Sequence, residues 1–296
     1  MADLAAGEYN ITLYFNGNEK YLNATATDKF NVTQTNADIR IVVENITYGE
    51  VETVKVYVNA TGTVTIKVDE REETVPIENG VASLDVDGLN AGNYTVEVTY
   101  NGNINVTNSS AESNFTVKKA DPIIIINVTD IIYGDTEYIK VNVNAEGNVT
   151  IKVNNETRTV ELNNGYVILI ASRGTASTYN GNATLEVQGL AVGKYPVEVT
   201  YNGNGNYNVL TETAEFDVFK ADSSLEFNVS DIEVGNTEVM NITINNTNAN
   251  GEVTISIDGE NYTAPVKDGK ANFTIPVLGT GNHTVVVFYS GDDNLT

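Results

Sequence analysis

The stretch Leu89-Asn90-Ala91-Gly92-Asn93-Tyr94-Thr95-Val96-Glu97-Val98-Thr99-Tyr100-Asn101-Gly102-Asn103 decides how this chain folds. Its opening, L-x-x-G-x-Y, recurs at residues 4–9 and 190–195, and with His283 in place of Tyr at 278–283. Its middle alternates apolar and polar residues, the mark of a strand with one buried face. Its closing turn returns as Phe15-Asn16-Gly17-Asn18, Tyr201-Asn202-Gly203-Asn204 and Tyr289-Ser290-Gly291-Asp292. Those turns are spaced by about 85, 101 and 88 residues, so the chain is an internal repeat.

Working outward, residues 37–121 hold seven short period-two runs bounded by Gly, Asn and Asp. They are Ile39-Ile41-Val43, Val54-Val56-Val58, Val64-Ile66-Val68, Val75-Ile77, Ala82-Leu84-Val86, Tyr94-Val96-Val98-Tyr100 and Phe115-Val117. Seven such runs predict an antiparallel sandwich with its own core. Residues 122–222 repeat the plan with about 16 extra residues near 163–181. Residues 223–296 repeat it without a last strand, and residues 1–36 hold only the last two strands of a copy. No stretch keeps a helical period. The joins Lys118-Lys119-Ala120-Asp121-Pro122 and Phe219-Lys220-Ala221-Asp222 are short, which predicts sandwiches strung into an elongated rod. The unfinished ends raise a second expectation, that residues 27–33 of one chain fill the gap in the last copy of another.

Composition narrows the chemistry. The 296 residues include no Cys, so disulfides, thiolate metal sites and cysteine nucleophiles are excluded. There is no Trp, and the core must come from Val, Ile, Leu, Tyr and Phe. The net charge of −24 opposes nucleic acid and anionic lipid, whose binding needs Lys and Arg clusters. No apolar run is long enough for membrane insertion. About twenty N-x-S/T sequons fit a chain exposed outside the cell, and Asn45, Asn59, Asn93, Asn114, Asn127, Asn148, Asn155, Asn182, Asn241 and Asn272 are candidate acceptors. The start Met1-Ala2-Asp3-Leu4 has no signal-peptide pattern, so the chain reads as a piece of a larger secreted protein.

In L-x-x-G-x-Y the Gly is expected to turn with positive φ and the Leu to plug the core. The Tyr is expected to bond back to the upstream backbone as a corner. Tyr9, Tyr94, Tyr195 and His283 hold that place. With G-x-V-T-I-K-V at 62–68 and 147–153, a variant at 251–257, and Y-N-G-N, the motif resembles the tandem immunoglobulin-like repeats of adhesin-like surface proteins of methanogenic archaea. Similar repeats occur in large bacterial surface proteins. The resemblance covers almost the whole chain. It implies an all-β fold of tandem immunoglobulin-like sandwiches and an extracellular stalk that holds cells to other cells or surfaces. It carries no functional site with it.

Catalysis finds little footing. His283 is the sole histidine, which excludes a His-rich metal site, and its place at a corner Tyr position is against a Ser-His-Asp triad. The pairs Glu72-Glu73, Asp69-Glu70 and Asp292-Asp293 fall in turns or exposed strands. Lys67 and Lys152 alternate with inward residues, against an isopeptide staple, and Gln34 and Gln188 are the only glutamines for an ester staple. Calcium is a weak candidate at Asp121, Asp130, Asp135, Asp222 and Asp231, near the joins, though no EF-hand spacing is present. The extra segment offers either an added edge hairpin or a recognition loop built on Tyr166, Arg173, Thr175 and Tyr179. The expected partners are other cell surfaces, glycans or copies of the chain itself. The competing functions are a filament joined by strand exchange and a carbohydrate-binding or carbohydrate-processing module.

Overall fold

The computed structural model describes residues 4–171 and 174–296, with side chains for 4–163 and 181–296. Among them there are strands and turns but no helix. The chain divides into two compact units, Met1–Asp121 with Asn204–Asn208, and Pro122–Gly203 with Val209–Thr296.

In chain order the first unit carries β1 (Gly7–Phe15), β2 (Ala24–Val32), β3 (Thr35–Asn36), β4 (Ile39–Val42), β5 (Ile46–Thr47), β6 (Glu52–Val58), β7 (Thr63–Val68), β8 (Arg71–Pro76), β9 (Val81–Val86), β10 (Gly92–Tyr100), β11 (Val106–Thr107) and β12 (Ser109–Lys118). β1 and β2 form a two-stranded antiparallel sheet. The sheets β4-β6-β9 and β5-β12-β10-β7-β8 face each other and form a sandwich. The period-two residues make its core. Val54 and Val56 from β6, Val64, Ile66 and Val68 from β7, and Val96 and Val98 from β10 are fully buried. Each Val or Ile so buried stabilises the fold by roughly 1.5–3 kcal/mol.

The second unit carries β13 (Ile124–Asn127), β14 (Ile131–Ile132), β15 (Glu137–Val143), β16 (Asn148–Val153), β17 (Glu156–Glu161), β18 (Asn163–Ala171), β19 (Gly174–Val187), β20 (Gly193–Tyr201), β21 (Leu210–Phe219), β22 (Leu225–Asn228), β23 (Glu238–Ile244), β24 (Gly251–Ile257), β25 (Glu260–Val266), β26 (Lys270–Ile275) and β27 (Val285–Tyr289). They form the sheets β13-β15-β19-β18 and β14-β21-β20-β16-β17, then β22-β23-β26 and β25-β24-β27. Met240, Ile242, Val253 and Ile255 anchor the core of the last pair.

Two differences from the sequence expectation have physical causes. The first run, β4 or β13, is followed in the first two sandwiches by a second short strand, β5 or β14, that the sequence reading lacked and that lies in the other sheet. β5 and β14 are two residues long, too short to show a period, and pair parallel with the ends of β12 and β21. The motif glycine has the expected positive φ at Gly7 (156°), Gly193 (156°) and Gly281 (144°) but not at Gly92, which opens β10; a further left-handed turn falls at Gly88 (φ 72°) and Gly189 (φ 70°).

The extra residues open a hairpin turn. In the first sandwich Asn79 (φ 52°) and Gly80 (φ 82°) join Glu78 to Val81 through a two-residue type I′ turn. Asp268-Gly269 does the same between Lys267 and Lys270. In the second, Asn163 pairs with Asn182 and β18 and β19 fill the interval as an antiparallel ribbon at a sheet edge. Val143 pairs with Gly181 where Val58 bonds Gly80, so Asn180-Gly181 takes the place of Asn79-Gly80. Gly181 is required there, because a Cβ would lie 2.8 Å from Leu162 Cβ and 2.9 Å from Ala145 O.

Candidate functional site

The repeated motif builds two aromatic anchors in each copy. At the corner, the hydroxyls of Tyr9, Tyr94 and Tyr195 donate to Ala5 O, Asn90 O and Ala191 O at 2.8–2.9 Å. Each ring stacks on a Phe of the following strand: Phe30, Phe115 and Phe216, with centroids 5.6–5.7 Å apart. The second anchor, unrecognised in the sequence, is the Tyr of the Y-N-G-N turn. Tyr100 and Tyr201 are fully buried, and their hydroxyls donate to Thr61 O and Glu146 O. Tyr289 donates to Asn250 O at 2.7 Å. Burial, with Asp292 beside it, pushes the Tyr289 phenol up to about 12.

His283 serves the last corner through different chemistry. Nε2 lies 3.0 Å from Gly279 O and Nδ1 lies 2.5 Å from Asp258 Oδ2. A carbonyl and a carboxylate both only accept, so the site favours the doubly protonated ring. Asp258 first, then the Gly279 carbonyl, raise the His283 pKa above its ordinary value. The bonds from His283 and from the Thr284 N–H lower that of Asp258. Beside this pair a cleft of about 710 Å³ is lined by Ile232, Ile275, Leu278, His283 and Val285. In the first sandwich β5 and the end of β12 pair at the matching place. Ser230, Asp231, Glu233, Thr280 and Asn282 also line the cleft, and both ring nitrogens of His283 are engaged by Asp258 and Gly279.

The acidic candidates are spread through the chain as local acceptors. Asp121 Oδ1 accepts from Asn208 Nδ2 at 2.7 Å, Asp130 Oδ1 from the Asp217 N–H at 2.8 Å, and Asp222 Oδ1 from Thr296 Oγ1 at 3.3 Å. Asp135 stands in the turn after β14, and Asp231 lines the cleft beside His283. Among the described residues no three Asp, Glu or His side chains gather to hold a metal ion. Asp130 and Asn45 are repeat equivalents, and Asn45 Oδ1 accepts from the Thr116 N–H at 2.7 Å. Both extend the parallel pairing of β5 with β12 and of β14 with β21.

Sequence reasoning also missed a buried carboxylate at the start of β6 and β15. Glu52 and Glu137 are 2% and 1% exposed. Glu52 Oε1 accepts from the Glu44 N–H, and Glu137 accepts from Thr129 N and Thr129 Oγ1. Glu238 Oε2 receives the Ser230 N–H at 3.2 Å. Burial pushes the Glu52 carboxyl up, against the pull of the Glu44 N–H. The signal was present as G-x-x-E at Gly49, Gly134 and Gly235.

Several sequon asparagines are tied down by Oδ1. Asn59 accepts from the Asp38 N–H, Asn93 from Thr116 Oγ1 and Asn114 from Thr95 Oγ1. Asn148 and Asn182 bond Asn202 and Asn142. Asn241 and Asn272 face each other across β23 and β26, Asn127 ends β13, and Asn155 (φ 60°) sits in the β16–β17 turn. Of the recognition candidates, Arg173 lies outside the described residues. Tyr166 and Tyr179 are backbone partners and Thr175 pairs with Ile170, while the side chains of this segment lie outside the description.

No curated protein matches the chain. Solved structures with similar chain paths include the Clostridium thermocellum CbhA fibronectin(III)-like modules, at 10% identity over 61% of this chain and 94% of that one, with a TM-score of 0.24. The ICAM-5 D1–D4 ectodomain fragment aligns at 12% identity over 97% of this chain and 83% of that one, TM-score 0.31. The chicken CNTN1 FN1–FN3 domains align at 12% identity over 88% and 95%, TM-score 0.23. Residues 41–118, which span most of the first sandwich, match the model of the bacterial immunoglobulin-like domain, group 3.

Proposed function

We propose that this chain is an extracellular, non-enzymatic stalk segment of an adhesin-like cell-surface protein that spaces or attaches a cell to its surroundings. The observation that carries the reading is the repetition itself, with no metal-holding cluster among the described residues. Sandwich cores recur with the same Tyr anchors, and the one histidine is spent on a corner. A surface this acidic keeps adjacent copies soluble and apart. Asn45, Asn59, Asn93 and Asn114 use Oδ1 in the fold, which leaves Nδ2, the atom a glycan takes, outside those bonds. Antibody labelling of intact source cells, before and after protease shaving, tests the location. Signal lost on shaving supports a surface stalk, and signal seen only after lysis contradicts it.

Strand exchange is the second reading. It draws on β27, an edge strand whose Val286 and Phe288 are 56% and 61% exposed. An apolar edge is a template for another strand. Concentration-dependent fibres would favour it over the stalk.

A further inference from the structure

The residues after each Y-N-G-N tyrosine form a short tongue at 103–107, 204–208 and 292–296. The first side chain of each folds it. Asn103 Oδ1 accepts from the Asn105 and Val106 N–H groups, Asn204 Oδ1 from Asn206 and Tyr207, and Asp292 Oδ1 from Asn294 and Leu295, all at 2.8–2.9 Å. This is an Asx turn, which points the third residue away from its own sandwich.

That third residue is Asn every time, and it makes the same two bonds. Asn105 Oδ1 accepts from the Ala6 N–H at 2.8 Å, Asn206 Oδ1 from Ala91 at 2.9 Å, and Asn294 Oδ1 from Val192 at 2.9 Å. These donors belong to the L-x-x-G-x-Y corner loops. The carbonyls of Asn105, Asn206 and Asn294 accept from Thr35, Ala120 and Ala221, each at 3.0 Å. These donors belong to the joins. Asn208 N and Thr296 N then return bonds to Ala120 O and Ala221 O, closing a short parallel bridge.

Side chains seal the contact. Leu295 is 1% exposed and packs in the last core with Ala221 and Tyr133. In the first unit Tyr207 meets Tyr48 edge-on at 5.4 Å. A donor from the join holds the base of each tongue: Gln34 Nε2 to Asn103 O at 2.8 Å, Lys119 Nζ to Asn204 O at 2.6 Å, and Lys220 Nζ to Asp292 O.

We infer that Asn105 and Asn294 are joint locks, each binding with its side chain a corner loop and with its backbone the join beside it; Asn206 makes the same two bonds within the first unit. Within the second unit, Asn294 thereby fixes the last sandwich to the one before it. Within the first, Asn105 fixes the opening hairpin to the sandwich that follows. Short joins limit bending; a lock that grips the loop and the join together removes the remaining hinge. These are positioning residues. The inference deepens the stalk reading and rests on it only for purpose.

The cysteine-free chain allows a direct test. Spin labels at E198C and T263C, on exposed strand positions of the two sandwiches of the second unit, report their distance distribution. The lock predicts a narrow distribution that Asn294→Ala widens at least twofold. Asn294→Asp keeps the acceptor and restores the narrow width, and Asn241→Ala leaves it narrow. Amide exchange at Val192 quickens about tenfold in Asn294→Ala, the effect of losing one net hydrogen bond. A broad distribution in the parent chain, or equal widths and equal Val192 exchange in the parent and Asn294→Ala, overturns the lock. Cell-surface location does not enter the measurement, so its failure and that of the stalk reading are separable.

Discussion

The corner at Tyr94 and the corner at His283 do the same backbone job with different physics. Each ring reaches four residues back to a carbonyl, Asn90 O in one case and Gly279 O in the other. Tyr94 donates through a hydroxyl, and it stacks on Phe115, which is 3% exposed. His283 favours the doubly protonated ring, and it leans on Asp258. The geometry of a corner is therefore set by the loop and the strand, while its chemistry is free to vary. One consequence is that the first sandwich should be indifferent to pH at its corner and the last should not.

The largest effect lies on the aromatic side of this comparison. Phe115→Ala removes a buried ring and should cost the first sandwich about 3–5 kcal/mol, leaving the last unchanged. Denaturant titration followed by amide exchange, sandwich by sandwich, reads both. Tyr94→Phe keeps the stack and loses the bond, so the expected loss is about 1 kcal/mol. Equal losses in the two variants would mean that the buried ring stabilises this sandwich no more than the single hydrogen bond does.

The pH dependence is smaller and belongs to the last sandwich. The His283 pKa is raised in the fold, so its stabilisation is fully present below the unfolded value of about 6.5. It is lost as pH rises through the raised folded value. The lowered Asp258 pKa acts oppositely, its contribution fading as pH falls below the usual carboxylate range. His283→Tyr should abolish the alkaline loss and make this corner behave like Tyr94. A pH slope unchanged by that substitution would remove His283 from the account.

The smallest effect isolates the ion pair. In Asp258→Asn the His283 pKa should fall back toward its ordinary value while the Gly279 bond persists, as a proton titration by NMR would show. An unmoved pKa would assign the shift to the carbonyl instead of the carboxylate.

Much of this architecture was legible from residue patterns. Val54, Val56 and Val58 alternate because β6 has one face on the core, and the structure buries all three. The Leu-to-Tyr motif announced the corner because its parts lie within six residues of one another. What escaped was either too short or too distant. Ile46-Thr47 is a strand only because Val117 and Lys118 lie beside it. Asn105 is a lock only because Ala6 and Thr35 meet it, 99 residues away in the case of Ala6. Gly88 and Gly189 also turn left-handed just ahead of the motif, where L-x-x-G-x-Y did not reach. The repeat itself could have exposed the locks, since Asn recurs at the same step after Tyr100, Tyr201 and Tyr289, with Lys20 in its place after Phe15.

Small-angle scattering of the whole chain in dilute, moderate-salt buffer tests the central claim most directly. A compact globule of this length would have a radius of gyration near 19 Å. The stalk reading predicts about twice that value, unchanged on dilution. A value near the globular one would contradict the stalk.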